Sequence, residues 1–188
     1  NEDNTGEVVL SKDTKSWGSF FYDQASDVLR APITIIDHDF TELLTYDFEN
    51  IAKTSADLVL NWEKKQFPVK VEFDVDNIVM SNAEDQLKGS TGFSWQGFSS
   101  AANYALQNNT NLDQGLKWID QAIAQNKSFT TLSVKSGILR AQGNEKEADD
   151  ILEDAFNTAT EAELNVYGYR MVNNGKNDEA QRVMKINT

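Results

Sequence analysis

The stretch of sequence that decides the fold is LSVKSGILRAQGNEKEADDILEDA, positions 132–155. Apolar side chains recur here every three or four residues on both sides of Gly143, which is the spacing of two amphipathic helices. The glycine falls where a helix commonly ends in a left-handed conformation. The stretch therefore predicts two antiparallel helices joined by a tight turn.

The same unit recurs along the chain at a spacing of 32 or 33 residues. Gly175 follows Gly143 by 32 residues, and Ala148 follows Gly115 by 33. A tetratricopeptide unit, which is a helix-turn-helix module, repeats at about 34 residues. We therefore predict three tetratricopeptide-like helix pairs, stacked side by side, over residues 96–188.

Polar residues mark the starts of these helices. Three pairs are spaced as N-cap and third helical residue, namely Asn111 with Gln114, Asn144 with Glu147, and Thr160 with Glu163. Side chains at this spacing accept hydrogen bonds from the amides left free in a first helical turn. Each pair predicts a capped helix.

The first part of the chain has a different period. Ala56, Leu58 and Leu60 alternate with polar residues, and Leu44 and Tyr46 do the same, which is typical of half-buried strands. We predict an antiparallel β unit over residues 1–80, in which Lys64-Lys65 joins two strands as a hairpin. Residues 81–95 lose the alternation and are rich in turn-forming residues, so they are predicted as a linker with one helical turn near residues 83–87.

These patterns place the chain in the α+β class. The expected architecture is an antiparallel β-sheet or sandwich unit, followed by an all-α stack of tetratricopeptide-like helical hairpins.

Composition narrows the function classes. The net charge is −13, so nucleic-acid backbones would be repelled and no nucleic-acid partner is expected. There is no cysteine and His38 is the only histidine, which excludes cysteine nucleophiles and multi-histidine metal sites within one chain. No apolar run approaches the roughly 18 residues of a membrane-spanning helix. The sequence indicates no catalytic residue, metal site or cofactor.

An aromatic run is the first candidate for ligand binding. Trp17, Phe20, Phe21 and Tyr22 lie in a predicted loop between strands, where exposed rings can stack on sugars or hold an extended peptide. The alternative is that the rings close the end of the sheet core. Arg30 is the residue that would hold a ligand carboxylate, and its alternative is an exposed ion pair of small net effect. The candidate ligand-binding residues are Trp17, Tyr22, Arg30 and Glu63.

The helical stack is the second candidate. Stacked helix pairs form a concave groove that can hold an extended or helical partner. The residues predicted to line it are Asn103, Gln107, Lys135 and Tyr169. The alternative is that the three pairs only support the β unit.

Several short motifs occur together in the β part: SKDTKSWGSFFYD at 11–23, DVLR at 27–30, LTYDF at 44–48, and LVLNWEK at 58–64 followed by FPV at 67–69. In this order they resemble an uncharacterised family of exported bacterial proteins, a domain of unknown function in which a β-rich domain precedes tetratricopeptide-like helices. The resemblance implies a periplasmic or extracellular location, and a signal sequence or lipoprotein anchor with further β structure upstream. It implies no catalytic residues.

Together these observations favour a non-enzymatic binding or scaffold protein of the bacterial cell envelope, with a protein or peptide as partner. The alternative hypothesis is a carbohydrate-binding or glycan-processing module, which would use the aromatic loop and nearby carboxylates.

Overall fold

The computed structural model describes residues 4–186, in which four strands precede seven α-helices. The strands are β1 (Thr5–Ser11), β2 (Asp27–Thr34), β3 (Ile36–Glu49) and β4 (Ser55–Glu72). The helices are α1 (Val75–Leu87), α2 (Trp95–Gln107), α3 (Leu112–Gln125), α4 (Phe129–Ala141), α5 (Glu145–Thr158), α6 (Glu161–Asn173) and α7 (Asn177–Ile186). The chain divides into two compact units between Val75 and Asp76. The predicted α+β class is confirmed.

The β unit contains two antiparallel pairs of strands. β1 pairs with β2, with Val9 opposite Arg30, and β3 pairs with β4, with Tyr46 opposite Leu60. Asn50 takes a left-handed φ of 48° directly after β3, where the chain turns into the connection to β4. Asparagine tolerates that conformation better than most residues, so the turn falls where the sequence allows it.

β4 differs from the predicted pair of strands. It is one continuous strand of 18 residues, and the predicted join at Lys64-Lys65 lies inside it. Fully extended, such a strand would be about 60 Å long. Its ends nevertheless meet, because the Phe73 amide donates to the Thr54 carbonyl at 2.8 Å. The chain therefore folds back within β4, and Glu63, with a φ of 53°, supplies the left-handed residue one position before the predicted join.

The apolar row on β3 is exposed. Leu44, Tyr46 and Phe48 alternate as predicted, yet their side chains remain more than half exposed. Within the described part of the β unit, the buried apolar side chains are those of Ala56 and Val59. A two-stranded sheet offers no second layer against which such a row could pack.

Helix α1 occupies residues that were predicted as the end of the β unit and the start of the linker. Met80, Ala83 and Leu87 share one face of this helix and pack in the cluster that contains Phe98 of α2. Their spacing of three and four residues is helical, and the linker prediction overlooked it in favour of the nearby turn-forming residues. Irregular structure follows from Lys88, with a 3₁₀ turn at Ser90–Phe93.

The six remaining helices form three consecutive antiparallel pairs: α2 with α3, α4 with α5, and α6 with α7. Gly143 and Gly175 have φ values of 85° and 73°, so both glycines end a first helix in the predicted left-handed conformation. Small residues mark the close approaches. A Cβ added at Gly115 would lie only 2.9 Å from the Cβ of Ala105 on the paired helix. The pattern of repeats therefore predicted both the turns and the contacts of the pairs.

The helix caps were predicted in part. Thr160 and Glu163 form a capping box, as predicted. Asn111 and Asn144 precede their helices but make no side-chain cap hydrogen bond. A further capping box links Ser128 to Thr131, where the third helical residue is threonine instead of the usual glutamate or glutamine.

Candidate functional site

A groove lies along the first helices of the three pairs in the helical unit. It encloses about 690 Å³ and is lined mainly by α2, α4 and α6. The repeat places these three helices at equivalent positions in successive pairs, so they form one continuous surface. Representative lining residues are Ser99, Asn103, Ser133, Val134, Val166 and Arg170.

The middle of the groove combines short polar side chains with apolar ones. Ser99, Thr130 and Ser133 bring hydroxyl groups, while Val134 and Val166 bring branched apolar side chains. Val166 is 71% exposed, although it sits on a helix whose opposite face is buried. The Ser133 hydroxyl oxygen is buried and has no hydrogen-bond partner among the described residues. A surface of this composition provides both hydrogen-bond partners and apolar contacts to a ligand.

Three aromatic rings from successive helices pack together at one part of the groove. Phe129 of α4, Phe156 of α5 and Tyr167 of α6 have ring centroids 5.6 to 6.2 Å apart. The Tyr167 hydroxyl donates to Glu179 Oε1 at 2.5 Å. Burial, together with this carboxylate, raises the pKa of Tyr167, so the phenol stays neutral and structural at physiological pH.

Charged side chains lie at the end of the groove where α4 and α6 finish. Arg140 is paired with Glu145 at 3.1 Å and also with Asp149. The Arg170 guanidinium lies 5.0 Å from the centroid of the Tyr167 ring. The positive charges of Arg140 and Arg170 both act to lower the pKa of Tyr167, so the two guanidinium groups lie near the same ring.

The structure places the four predicted groove residues in different surroundings. Asn103 lines the groove, as proposed from the sequence. Lys135 instead forms an ion pair with Asp120 of α3 at 2.8 Å. Gln107 and Tyr169 are not among the lining residues, and Tyr169 is 65% exposed elsewhere on α6.

Sequence reasoning missed the groove residues of α6. Ala162, Val166 and Arg170 line the groove and are spaced four residues apart, which is one face of a helix. Gly168 is buried and does not line the groove, whereas Met171 is buried and does line it. The four-residue spacing of Ala162, Val166 and Arg170 was the signal in the sequence, but choosing this face over that of Tyr169 requires the packing of α6 in the assembled pairs.

A second polar cluster is found in the β unit, around Arg30 of β2. Its Nε donates to Asp27 Oδ2 at 2.7 Å, its Nη1 donates to Glu7 Oε2 at 2.6 Å, and its Nη2 donates to the Tyr22 hydroxyl. Tyr22 in turn donates to Asp27 Oδ2 at 2.7 Å. Of the four predicted ligand-binding residues, Tyr22 and Arg30 are thus brought together.

This cluster is suited to binding a charged group and is not suited to proton transfer. The hydrogen bond from Tyr22, with a further one from Arg30, lowers the pKa of Asp27, so this carboxyl is ionised at neutral pH and accepts hydrogen bonds. Two carboxylates already occupy the guanidinium of Arg30, so a ligand carboxylate would have to displace Glu7 or Asp27. Asp27 Oδ1 is buried and lacks a partner among the described residues.

The aromatic loop projects away from the sheet. Trp17 is 84% exposed and Phe21 is 98% exposed, while Trp17 and Phe20 stack with centroids 5.6 Å apart. Gly18 and Phe21 both have left-handed φ values, of 62° and 60°. The alternative that these rings close the end of the sheet core is therefore wrong.

Glu63 and His38 lie apart from the Arg30 cluster, in the sheet formed by β3 and β4. Glu63 is the left-handed residue of β4 and stands opposite Thr41. The His38 imidazole Nδ1 is 2.7 Å from the carbonyl oxygen of Asp39, a main-chain contact within its own strand. Residues 4–186 contain no group of three histidine or acidic side chains arranged to hold a metal ion.

None of the helices in the described part of the chain is long and apolar enough to cross a membrane. No curated protein and no solved structure matches the chain. A family model described as a protein of unknown function (DUF2911) matches residues 1–71, which is the β-rich part. The resemblance predicted from the sequence motifs is confirmed for this part of the chain, which matches the uncharacterised family DUF2911.

Proposed function

We propose that the protein is a non-enzymatic binding protein of the bacterial cell envelope, and that its helical groove holds an extended polypeptide segment. The observation that carries the proposal is the open groove of about 690 Å³ along α2, α4 and α6. Its mixture of hydroxyl groups and exposed apolar side chains suits a peptide backbone with alternating side chains. The envelope location rests on the family resemblance.

The groove can be tested with two matched variants of α6. Val166 lines the groove and is 71% exposed, whereas Tyr169 is 65% exposed and lies outside the lining. Val166→Glu and Tyr169→Glu add the same charge to the same helix at similar exposure. The probe is a peptide selected from a displayed random library against the wild-type protein.

We expect Val166→Glu to weaken binding of the selected peptide at least about tenfold, since it puts a charge into a desolvated contact. Tyr169→Glu should leave the affinity within about twofold, because surface substitutions away from a contact have small effects. Failure to select any peptide, or equal losses in the two variants, would contradict the proposal.

The second candidate function is carbohydrate binding by the aromatic loop. The stacked and exposed rings of Trp17 and Phe20 favour it, since sugar rings stack on exposed aromatic faces. Tyr22, in the same loop, is hydrogen-bonded to the Asp27 and Arg30 side chains. The ionised Asp27 fits hydrogen bonding to sugar hydroxyls better than the general-acid role that glycan hydrolysis requires.

A glycan array screened with wild type and Trp17→Ala tests this second candidate. Binding that depends on Trp17 would support it. Trp62→Ala is the matched control, because Trp62 is also an exposed tryptophan but lies on β4 in the other sheet. A silent array, or signals unchanged in Trp17→Ala, would contradict carbohydrate binding by the loop.

A further inference from the structure

The groove of the helical unit has an excess of positive charge in a protein whose net charge is −13. Four charged side chains line it, those of Arg140, Glu163, Arg170 and Lys176. Three of them are cationic. The charge of this groove is therefore opposite to the net charge of the protein, and complementary charge gives a binding surface specificity for its partner.

Local partners already engage two of the four side chains. Arg140 is held by Glu145 and Asp149. Glu163 Oε2 accepts hydrogen bonds from the backbone amide of Thr160 at 2.9 Å and from its hydroxyl at 2.8 Å. Arg140 therefore offers no unpaired charge to a ligand, whereas Glu163 keeps its negative charge while Thr160 holds its Oε2.

Arg170 and Lys176 remain uncompensated. Neither side chain forms an ion pair within residues 4–186, and both are exposed. Arg170 rests its guanidinium over the ring of Tyr167, which is itself fixed by Glu179 and by packing against Phe129. A guanidinium held on an aromatic face keeps its hydrogen-bond donors available at the edge of the plane. Lys176 follows Gly175 directly, in the turn that leads into α7.

We propose that the groove selects an acidic polypeptide, whose aspartate or glutamate side chains bind Arg170 and Lys176 while its backbone lies along α4 and α6. This inference rests on the proposed function, because it names the class of peptide that the same groove accepts. The hydroxyl groups and the valines Val134 and Val166 contact the uncharged remainder of the segment. Arg170 and Lys176 are thus the specificity-determining residues.

The test uses labelled peptides of one backbone, built from alternating Ser and Val with blocked termini. One peptide is neutral, one carries two Glu residues at one end, one carries two Lys residues there, and a fourth is neutral with a free C-terminal carboxylate. Fluorescence anisotropy against the full chain gives each affinity at about 0.1 M salt and above, because screening separates ionic from apolar contributions.

We expect the Glu peptide to bind about tenfold more tightly than the neutral one, and this advantage to fall as salt rises. The double variant Arg170→Gln/Lys176→Gln should lose the advantage and keep the affinity for the neutral peptide. The matched control is Lys117→Gln/Lys146→Gln, which removes the same charge from exposed positions on α3 and α5 outside the groove, and it should behave as wild type. Lys176→Gln alone, in a turn, provides a variant that leaves every helix unchanged.

Equal affinity for the Glu and neutral peptides, or tighter binding of the Lys peptide, would overturn the selection for acidic segments while the groove itself stayed a peptide site. An advantage confined to the free C-terminal carboxylate would likewise overturn it. If the control variant also lost its preference for the Glu peptide, that preference would depend on the net charge of the protein and not on Arg170 and Lys176. If none of the four peptides binds and the library selection also fails, the proposed function fails first.

Discussion

The β unit and the helical unit carry equally regular apolar patterns but differ in what they bury. In the described part of the β unit, the buried apolar side chains are Ala56 and Val59. The helical unit contains two clusters of buried residues, in which Ile119 and Ile138 are fully buried. The period of the apolar residues shows which side chains share a face. Burial of that face requires a second layer of structure packed against it. Helix pairs supply that layer to one another, and a two-stranded sheet does not.

The largest expected effect tests this contrast directly. Ile119→Ala should destabilise the helical unit by about 2–5 kcal/mol, because it removes a fully buried side chain and leaves a cavity. Leu44→Ala makes a similar truncation on the exposed row of β3 and should cost less than about 0.5 kcal/mol. Urea unfolding followed by circular dichroism and by tryptophan fluorescence measures both. Equal losses would mean that the β3 row is covered in solution, and the contrast would then be wrong.

The same contrast explains what could be predicted from the sequence. The repeat of Gly143 and Gly175 predicted the pairs, since their left-handed turns and close contacts depend on residue size and local conformation. The exposure of Tyr46 could not be predicted, because alternation indicates a common face and carries no information about a covering layer. Helix α1 was missed because its short apolar face around Met80 stands next to turn-forming residues.

The candidate site was predicted less completely than the fold. Of the residues named from the sequence, Asn103 lines the groove, and Tyr22 and Arg30 lie in one cluster. Choosing Val166 over Tyr169 would have required the rotation of α6 about its axis, which depends on how Gly168 packs against Met184. That rotation is a property of the assembled pairs, so a pattern within a single helix does not determine it.

A loss of stability of intermediate size is expected in the β unit and tests the same contrast. Val59 is 1% exposed, and Val59→Ala should cost about 1.5 kcal/mol, from the loss of two buried methyl groups. We expect the effect to remain in the β unit, which forms its own compact region. Amide hydrogen exchange should accelerate in β3 and β4 and stay unchanged in α2–α7. Equal acceleration in the helices would show that the two units unfold together.

The smallest expected effect concerns a helix end and its pH dependence. The backbone amide and the hydroxyl of Thr160 hydrogen-bond to Glu163 and lower its pKa. A folded-state pKa below the unfolded value means that this contribution is present above about pH 4.3 and is lost as the pH falls further. Thr160→Ala should cost about 1 kcal/mol at neutral pH.

In Glu163→Gln, the free energy of unfolding should fall less between about pH 5 and pH 3 than it does in wild type. Urea unfolding at each pH measures it. The control is Glu147→Gln, the equivalent position of α5, where Asn144 makes no cap hydrogen bond. If the free energy of unfolding fell equally with pH in Glu163→Gln and wild type, the capping box would contribute nothing to stability.

The three packed rings of Phe129, Phe156 and Tyr167 determine how the last helix pair separates from the rest of the helical unit. Its members come from α4, α5 and α6, so it ties the last helix pair to the one before it. Separating the last pair breaks two of the three ring contacts at once and uncovers Tyr167 together with Met171. Loss of α6 and α7 should therefore occur in one cooperative opening and not as progressive fraying from the C-terminal end. One wall of the groove would then be present or absent as a whole.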